Sequence, residues 1–351
     1  MAALELIEGC HAGLLSEAVT LFLSERKTPP TASVREQLEQ RWHHLLNPPG
    51  MAGEGRLWLA RSAGQWRGVL LNTPLRLDMS GQSLAGHWGV ELYVPPSARR
   101  LGVGAALLSR WRDHSPLAVG LGITDAAWRL EQRLGWQVRL LPPLKVGVLT
   151  PKAKLALGLR RGQFPPILRD IPNWQDIAPR LRPLEGAEGG EGAEGARAAL
   201  EGGGDALWAS WREGAGPTLH RSWAWWNWAA KSFPGSVRLG FWQGTRLSGV
   251  LMLQRVPRRG LQQLRVLDVA CLPGLEDTLV DTLLSYAQAA DASWLLLRVT
   301  EPELRRAFHR RGFIPWGPCE RLIVYTHPPT LAHAMLHRPW RLSLLDSGNL
   351  S

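Results

Sequence analysis

The stretch ELYVPPSARRLGVGAALLSRW, Glu91 to Trp111, decides how the first part of this chain folds. VELYV, residues 90–94, reads as a buried strand. Pro95 and Pro96 end it, because neither can donate to a ladder. SARRLGVGAALL then enters a helix. Gly102 and Gly104 have no Cβ, so the backbone there can take positive φ and approach a ligand closely. The first N–H groups of a helix lack internal partners and point outward, and the helix dipole adds partial positive charge. Arg99 and Arg100 add more. These residues form a complete anion site at a helix start. The spacing excludes two other phosphate loops. A Walker loop needs Gly-Lys-Ser/Thr, and no such lysine is present. The dinucleotide fingerprint needs a third glycine where Leu107 stands.

With 351 residues and 45% hydrophobic content, the chain has room for about two domains with sizeable cores. The start, MAALELIEG, lacks a cationic segment followed by an apolar run, and no long uncharged apolar stretch follows. Neither a signal peptide nor a membrane span is expected. Cys10, Cys271 and Cys319 are sparse and far apart, which fits a reducing cytoplasm and no disulfide framework. The net charge is +11, yet only five of the 41 basic residues are lysine. The arginines are scattered and form no dense nucleic-acid track. Compositional bias accounts for them, with attraction to an anionic partner as the other reading. The 18 tryptophans are expected to fill cores.

The clearest composition break is EGAEGGEGAEGARAALEGGGD, Glu185–Asp205, which reads as a flexible linker. The chain thus divides into 1–150, a connecting region 151–205, and 206–351. Residues 1–150 read as a strand, two helices, three strands, the 91–111 joint with its helix, a strand at Leu117–Gly122, a helix at Asp125–Leu134 and a last strand at Gln137–Leu149. Thr31 or Ser33 caps the second helix, with Glu36 at capping-box spacing from Ser33. Residues 206–351 repeat much of this order. WRLEQRLGWQV (Trp128–Val138) and LRRAFHRRGFIP (Leu304–Pro315) are both helices stopped by a glycine before an aromatic strand entry. From Gly135 to Gly312 the period is about 177 residues. The expected fold class is α/β (α+β): two tandem domains, each a mixed central sheet with flanking helices.

LYVPPSARRLGVGAALL resembles the acetyl-CoA pyrophosphate loop of the GCN5-related N-acetyltransferase superfamily, whose pattern is Arg/Gln-x-x-Gly-x-Gly/Ala. Arg99, Gly102 and Gly104 stand at its defining positions, and the element order over 1–150 fits the same superfamily. The resemblance implies that backbone groups of Arg100, Leu101, Gly102, Val103, Gly104 and Ala105 hold the pyrophosphate. It also implies that Leu92, Tyr93 and Val94 line the pantetheine arm. The reaction implied is acetyl transfer from acetyl-CoA to an amine, with a small molecule as the expected acceptor, and with no metal. Glu91, on the strand before the motif, is the candidate base.

The chain departs from the pattern at the second proton-transfer position. Many members carry a tyrosine five residues before the aromatic that Trp136 matches; here Glu131 stands there, and Thr124 replaces an expected asparagine. An ionised Glu131 is a poor acid for a departing thiolate. In the second half, Arg221, Asn227 and Trp228 match an Arg-Asp…Leu-Asn-Trp-Arg segment of some two-domain members, while Ser222 and Ala229 depart. The joint after LDVACL is only PGLED, and Glu276 and Asp277 at its helix start would repel a phosphate. The second domain is therefore expected to be degenerate and without cofactor. Two other readings stay open: a non-catalytic acyl-CoA-binding or regulatory protein, and a nucleic-acid-binding protein. His333 and His337 lack the glutamate of a zinc motif, since Ala334 is there, and Cys271 reads as a buried, inert thiol.

Overall fold

The computed structural model describes residues 3–346 except 10, 25–30, 52, 159–161, 163–164, 185–192, 213–215 and 259. Cys10 and residues 185–192 of the expected linker lie outside the described residues. In chain order the elements begin β1 (Glu5–Glu8), α1 (Ala12–Leu23), α2 (Ala32–Leu46), β2 (Arg56–Ser62), β3 (Gln65–Met79), β4 (Gln82–Tyr93), α3 (Val103–His114), β5 (Leu117–Leu121), α4 (Asp125–Arg133) and β6 (Gln137–Leu141). There follow β7 (Leu144–Val148), α5 (Pro151–Gly158), α6 (Trp174–Ile177), β8 (Leu181–Pro183), α7 (Ala193–Arg212), β9 (Thr218–Leu219) and α8 (Trp223–Lys231). The chain continues with β10 (Ser236–Gln243), β11 (Arg246–Arg258), β12 (Leu261–Cys271), α9 (Glu276–Ala289), β13 (Trp294–Leu297), α10 (Pro302–Arg310), β14 (Ile314–Trp316), β15 (Glu320–Thr326) and α11 (Pro329–His337).

The first compact unit contains Met1–Asp78, Gln82–Leu140 and Glu320–Arg338. Its sheet runs β1-β2-β3-β4-β5-β15-β6. The β4–β5 pair is parallel, and β15 pairs antiparallel with β5. One face is covered by α1 and α2, whose Leu15, Val19, Trp42 and Leu46 pack on Leu59, Val69 and Leu71. The other is covered by α3, whose Val103, Leu107 and Trp111 pack on Trp58, Ala60 and Leu70. Of the two possible caps of α2, Thr31 is the one used, accepting from the Val34 N–H at 3.3 Å.

The second unit contains Met79–Gly81, Leu141–Cys319 and Pro339–Ser351. Its sheet runs β14-β7-β13-β12-β11-β10-β8, with β12 and β13 parallel. Helices α9 and α10 cover one face through Leu279, Leu283, Leu304 and Phe308. Leu207, Trp208, Trp211, Trp223 and Trp226 of α7 and α8 cover the other. The tryptophans singled out by composition are thus mostly core.

Two expectations are corrected here. The single strand Gln137–Leu149 is two strands, β6 and β7, in different sheets. Pro142 and Pro143 separate them, and two residues without N–H groups cannot continue a ladder. The segment expected to be a flexible linker is helical from Ala193 onward. Its glycines disfavour a helix, but Leu207, Trp208 and Trp211 further along the same helix are buried and anchor it.

Candidate active site

The joint at Glu91–Trp111 is built as its sequence requires. Gly102 caps α3 in the left-handed region, φ 80° and ψ −1°, and Arg100 before it also has positive φ, 72°. The first bond into the helix is from the Ala106 N–H to the Gly102 carbonyl, 3.0 Å. The N–H groups of Val103, Gly104 and Ala105 therefore precede the helical ladder and point outward. No acidic residue lies in this first turn. Arg99 and Arg100 are exposed, and Arg99 Nε donates to the Val94 carbonyl at 3.4 Å, tying the turn to the strand end.

The two glycines are needed for different reasons. At Gly102 a side chain would meet no atom within 4 Å, and only the positive φ requires glycine. At Gly104, φ is ordinary, and a Cβ would make only van der Waals contacts with Leu130, 3.4 Å, and Val94, 3.9 Å. Nothing in the protein's own packing demands glycine there. The outward N–H groups, the positive-φ turn and the absence of acidic residues fit a bound pyrophosphate.

Beside this loop the sheet opens. The parallel pairing of β4 with β5 covers His87↔Ala118, Trp88↔Val119 and Gly89↔Gly120 and then stops. Strand β4 continues to Tyr93 while β5 ends at Leu121, so residues 90–93 have no strand beside them on that side. The floor of the split is closed. A Cβ on Gly89 would lie 2.5 Å from the Trp111 ring, and one on Gly120 would lie 2.9 Å from Ile323.

Glu91 stands in this split. Val90 and Tyr93 pack with α1 and α2, whereas Leu92 and Val94 pack with α3 and α4. The side-chain alternation therefore slips by one residue at Val90–Glu91 and turns Glu91 toward the α1/α2 face. Burial raises the Glu91 carboxyl to about 7, and the positive charge of Arg41 on α2 opposes that rise. Arg41 and Glu91 make no contact within 4.0 Å. Arg41 is itself half-buried, with Nε enclosed and without a hydrogen-bond partner. Sequence reasoning did not find Arg41, because an arginine in SVREQLEQRWHH carries no local signal.

Helix α4 flanks the same region, with Leu130 against Gly104 and in one cluster with Leu92 and Val94. Glu131, the next residue, is 1% exposed, and its Oε2 has no hydrogen-bond partner. Burial raises its carboxyl to about 8. Its site therefore disfavours the charge. Thr124 caps α4, accepting from the Ala127 N–H at 3.3 Å.

No family model matches the chain, and no curated protein sequence matches it. Solved structures do. A GCN5-related N-acetyltransferase from Kribbella flavida aligns with TM-score 0.57 and 16% identity over 92% of this chain and 71% of that one. A probable N-acyltransferase from Enterococcus faecalis aligns with TM-score 0.56 and 10% identity over 92% and 72%. Saccharomyces cerevisiae N-myristoyltransferase with bound myristoyl-CoA aligns with TM-score 0.56 and 11% identity over 93% and 79%. The fold is that of the GCN5-related N-acetyltransferases.

In the second unit the same fold element is differently furnished. The β12–β13 pairing ends at Val266↔Leu297, and Asp268 lies two residues further on, after a register shift. Asp268 accepts from Arg221 Nε and from Trp226 Nε1, both at 2.8 Å. Arg221 also donates to Asp346 at 2.6 Å, and it is completely buried. Arg341, Leu342 and Ser343 of the C-terminal segment line this region together with Asp268, Val269 and Val299. The Leu342 N–H is fixed to Thr300 Oγ1 at 2.7 Å. Helix α9 starts with Glu276 and Asp277, the reverse of the charge at α3. Cys271 is buried, and burial raises its thiol further. Among the described residues, no cluster of potential ligands, His333–His337 included, forms a metal site, and no helix is long and apolar enough to cross a membrane.

Proposed function

We propose that the chain is an N-acyltransferase that moves an acetyl group from acetyl-CoA to a small-molecule amine, using the first unit's site. The observation that carries this reading is the outward-pointing helix start of α3 beside the unpaired edge of β4. Backbone groups of Arg100 to Ala105, the free N–H groups of Val103, Gly104 and Ala105 among them, would hold the pyrophosphate, and Leu92, Tyr93 and Val94 would line the pantetheine arm. Bound there, acetyl-CoA supplies its acetyl group as a thioester.

The two carboxyl groups then divide the proton work. An ammonium has no lone pair, so Glu91, ionised in a useful fraction at neutral pH, takes the proton from the acceptor nitrogen. Glu131, kept protonated by burial, gives its proton to the sulfur as the carbon–sulfur bond breaks. Two carboxyls whose surroundings both raise them toward neutrality suit these roles better than a silent binding protein. In the second unit, Asp268 is held by Arg221 and Trp226, and the helix start that follows its strand is acidic. One cofactor per chain follows.

The test is a thermal-shift series with acetyl-CoA, CoA and longer acyl-CoAs, followed by thiol release across an amine panel. A ligand at 100 times its Kd adds roughly 2.7 kcal/mol, a shift of several degrees. No shift with any of them overturns the reading; a shift without thiol release leaves a binding protein.

A further inference from the structure

We infer that the acceptor carries a carboxylate within a few bonds of its reacting amine, and that Arg41 is the residue that binds it. This rests on the acyl-transfer reading and names its acceptor class.

The argument starts from an expensive arrangement. Arg41 of α2 is half-buried, and its Nε is enclosed without a hydrogen-bond partner among the described residues. A guanidinium N–H removed from water without a hydrogen bond is destabilising. The negative charge that acts on it is Glu91, and the two do not touch. A structural ion pair would close to contact, as Arg221 does with Asp268 at 2.8 Å in the second unit. Here the cation and the base stand apart on one face of the sheet. Phe22, Trp42 and Tyr93 lie beside them, with Phe22 5.5 Å from Trp42 and 5.4 Å from Tyr93 between ring centres.

A molecule with an amine at one end and an oxyanion at the other meets both groups favourably in one orientation only. Its nitrogen meets Glu91, where it loses a proton, and its anion meets the planar fork of Arg41. The reverse orientation sets like charges together. A carboxylate is favoured over a phosphate because the Glu91 carboxylate on the same face repels a more highly charged anion more strongly. The reaction balances without a further reactant. The amine nitrogen forms a bond to the acyl carbon, the carbon–sulfur bond breaks, Glu91 takes the nitrogen's proton and the thiolate takes one from Glu131.

The experiment uses matched pairs: the L-amino acids against their amides, β-alanine against propylamine, and ethanolamine phosphate as a separate arm. Thiol release gives kcat/KM, and calorimetry in the presence of CoA gives affinity without turnover. The carboxylated member is expected to exceed its partner by at least about tenfold in both. Arg41→Gln should bring the pairs within about twofold, chiefly through KM, and Arg41→Lys should keep part of the preference. A retained acetyl-CoA thermal shift shows that both variants fold. Equal pairs in the wild type, a preference that survives Arg41→Gln, or a stronger response to the phosphate overturns the inference. If no member of any pair binds or reacts while acetyl-CoA still shifts the melting temperature, the acceptor class is wrong and the cofactor reading stands. If acetyl-CoA produces no shift, the acyl-transfer reading itself falls.

Discussion

Glu91 in the first unit and Asp268 in the second occupy the same register position, each two residues past the last parallel pair of its sheet. One carboxyl faces a distant arginine and is raised to about 7. The other is held by Arg221 and Trp226 at 2.8 Å. The same fold element thus presents a base that can titrate in one unit and a fixed structural anion in the other.

The pH dependence of turnover should show both first-unit carboxyls. Glu91 must be ionised and Glu131 protonated, so kcat should rise through about 7 and fall beyond about 8. Glu91→Gln should lower kcat by roughly 10²–10⁴-fold. Glu131→Gln should remove the alkaline limb. Steady-state kinetics with an acceptor amine that titrates outside this window would show it; a flat profile from pH 6 to 9 contradicts both roles.

Stability should also report on Glu131. Unfolded, its carboxyl titrates near ~4.3; folded, it titrates at about 8. The native state holds the proton more tightly, so this contribution is complete below the unfolded value and is lost as pH rises through the folded one. Across that window each unit of pH costs about 1.4 kcal/mol at most. Glu131→Gln should flatten the decline between pH 5 and 8 in urea unfolding. An unchanged slope would mean that Glu131 is ionised in the folded protein.

The two glycines should respond differently. Gly104→Ala meets only ordinary contacts, so stability should stay within about 0.5 kcal/mol while acetyl-CoA affinity falls. Gly102→Asp adds strain at φ 80° of about 1 kcal/mol and a negative charge facing the anion. It should abolish binding with the fold retained. Calorimetry and melting curves separate the effects; full affinity in Gly102→Asp places the cofactor elsewhere.

The second unit should be structurally dependent on Arg221 and silent toward the cofactor. Arg221→Ala leaves Asp268 and Asp346 buried without their cation, a loss of about 3–5 kcal/mol, read as an earlier urea transition. Acetyl-CoA should titrate at one site per chain. Two sites by calorimetry would refute the silence of the second unit.

Much of this was legible in the sequence because it is local. Prolines end β4, glycine spacing fixes the turn, and the free N–H groups follow from any helix start. Glu91 could be singled out from its place on the strand before the loop. The state of Glu131 and the presence of Arg41 could not, since a carboxyl's charge depends on what surrounds it, and Arg41 lies fifty residues from Glu91 in the chain. The tie of Leu342 to Thr300 in the second unit was equally hidden.

By itself the sequence determined the anion loop of Arg99, Gly102 and Gly104, the repeated helix-glycine-aromatic joints, and the acidic helix start at Glu276 and Asp277. Each depends on backbone geometry and charge within a few residues. Only the tertiary structure decided that β15 lies beside β5 and that β7 lies between β13 and β14. Strands buried on both faces carry similar apolar residues and accept more than one neighbour, so their partners are chosen by the assembled sheet.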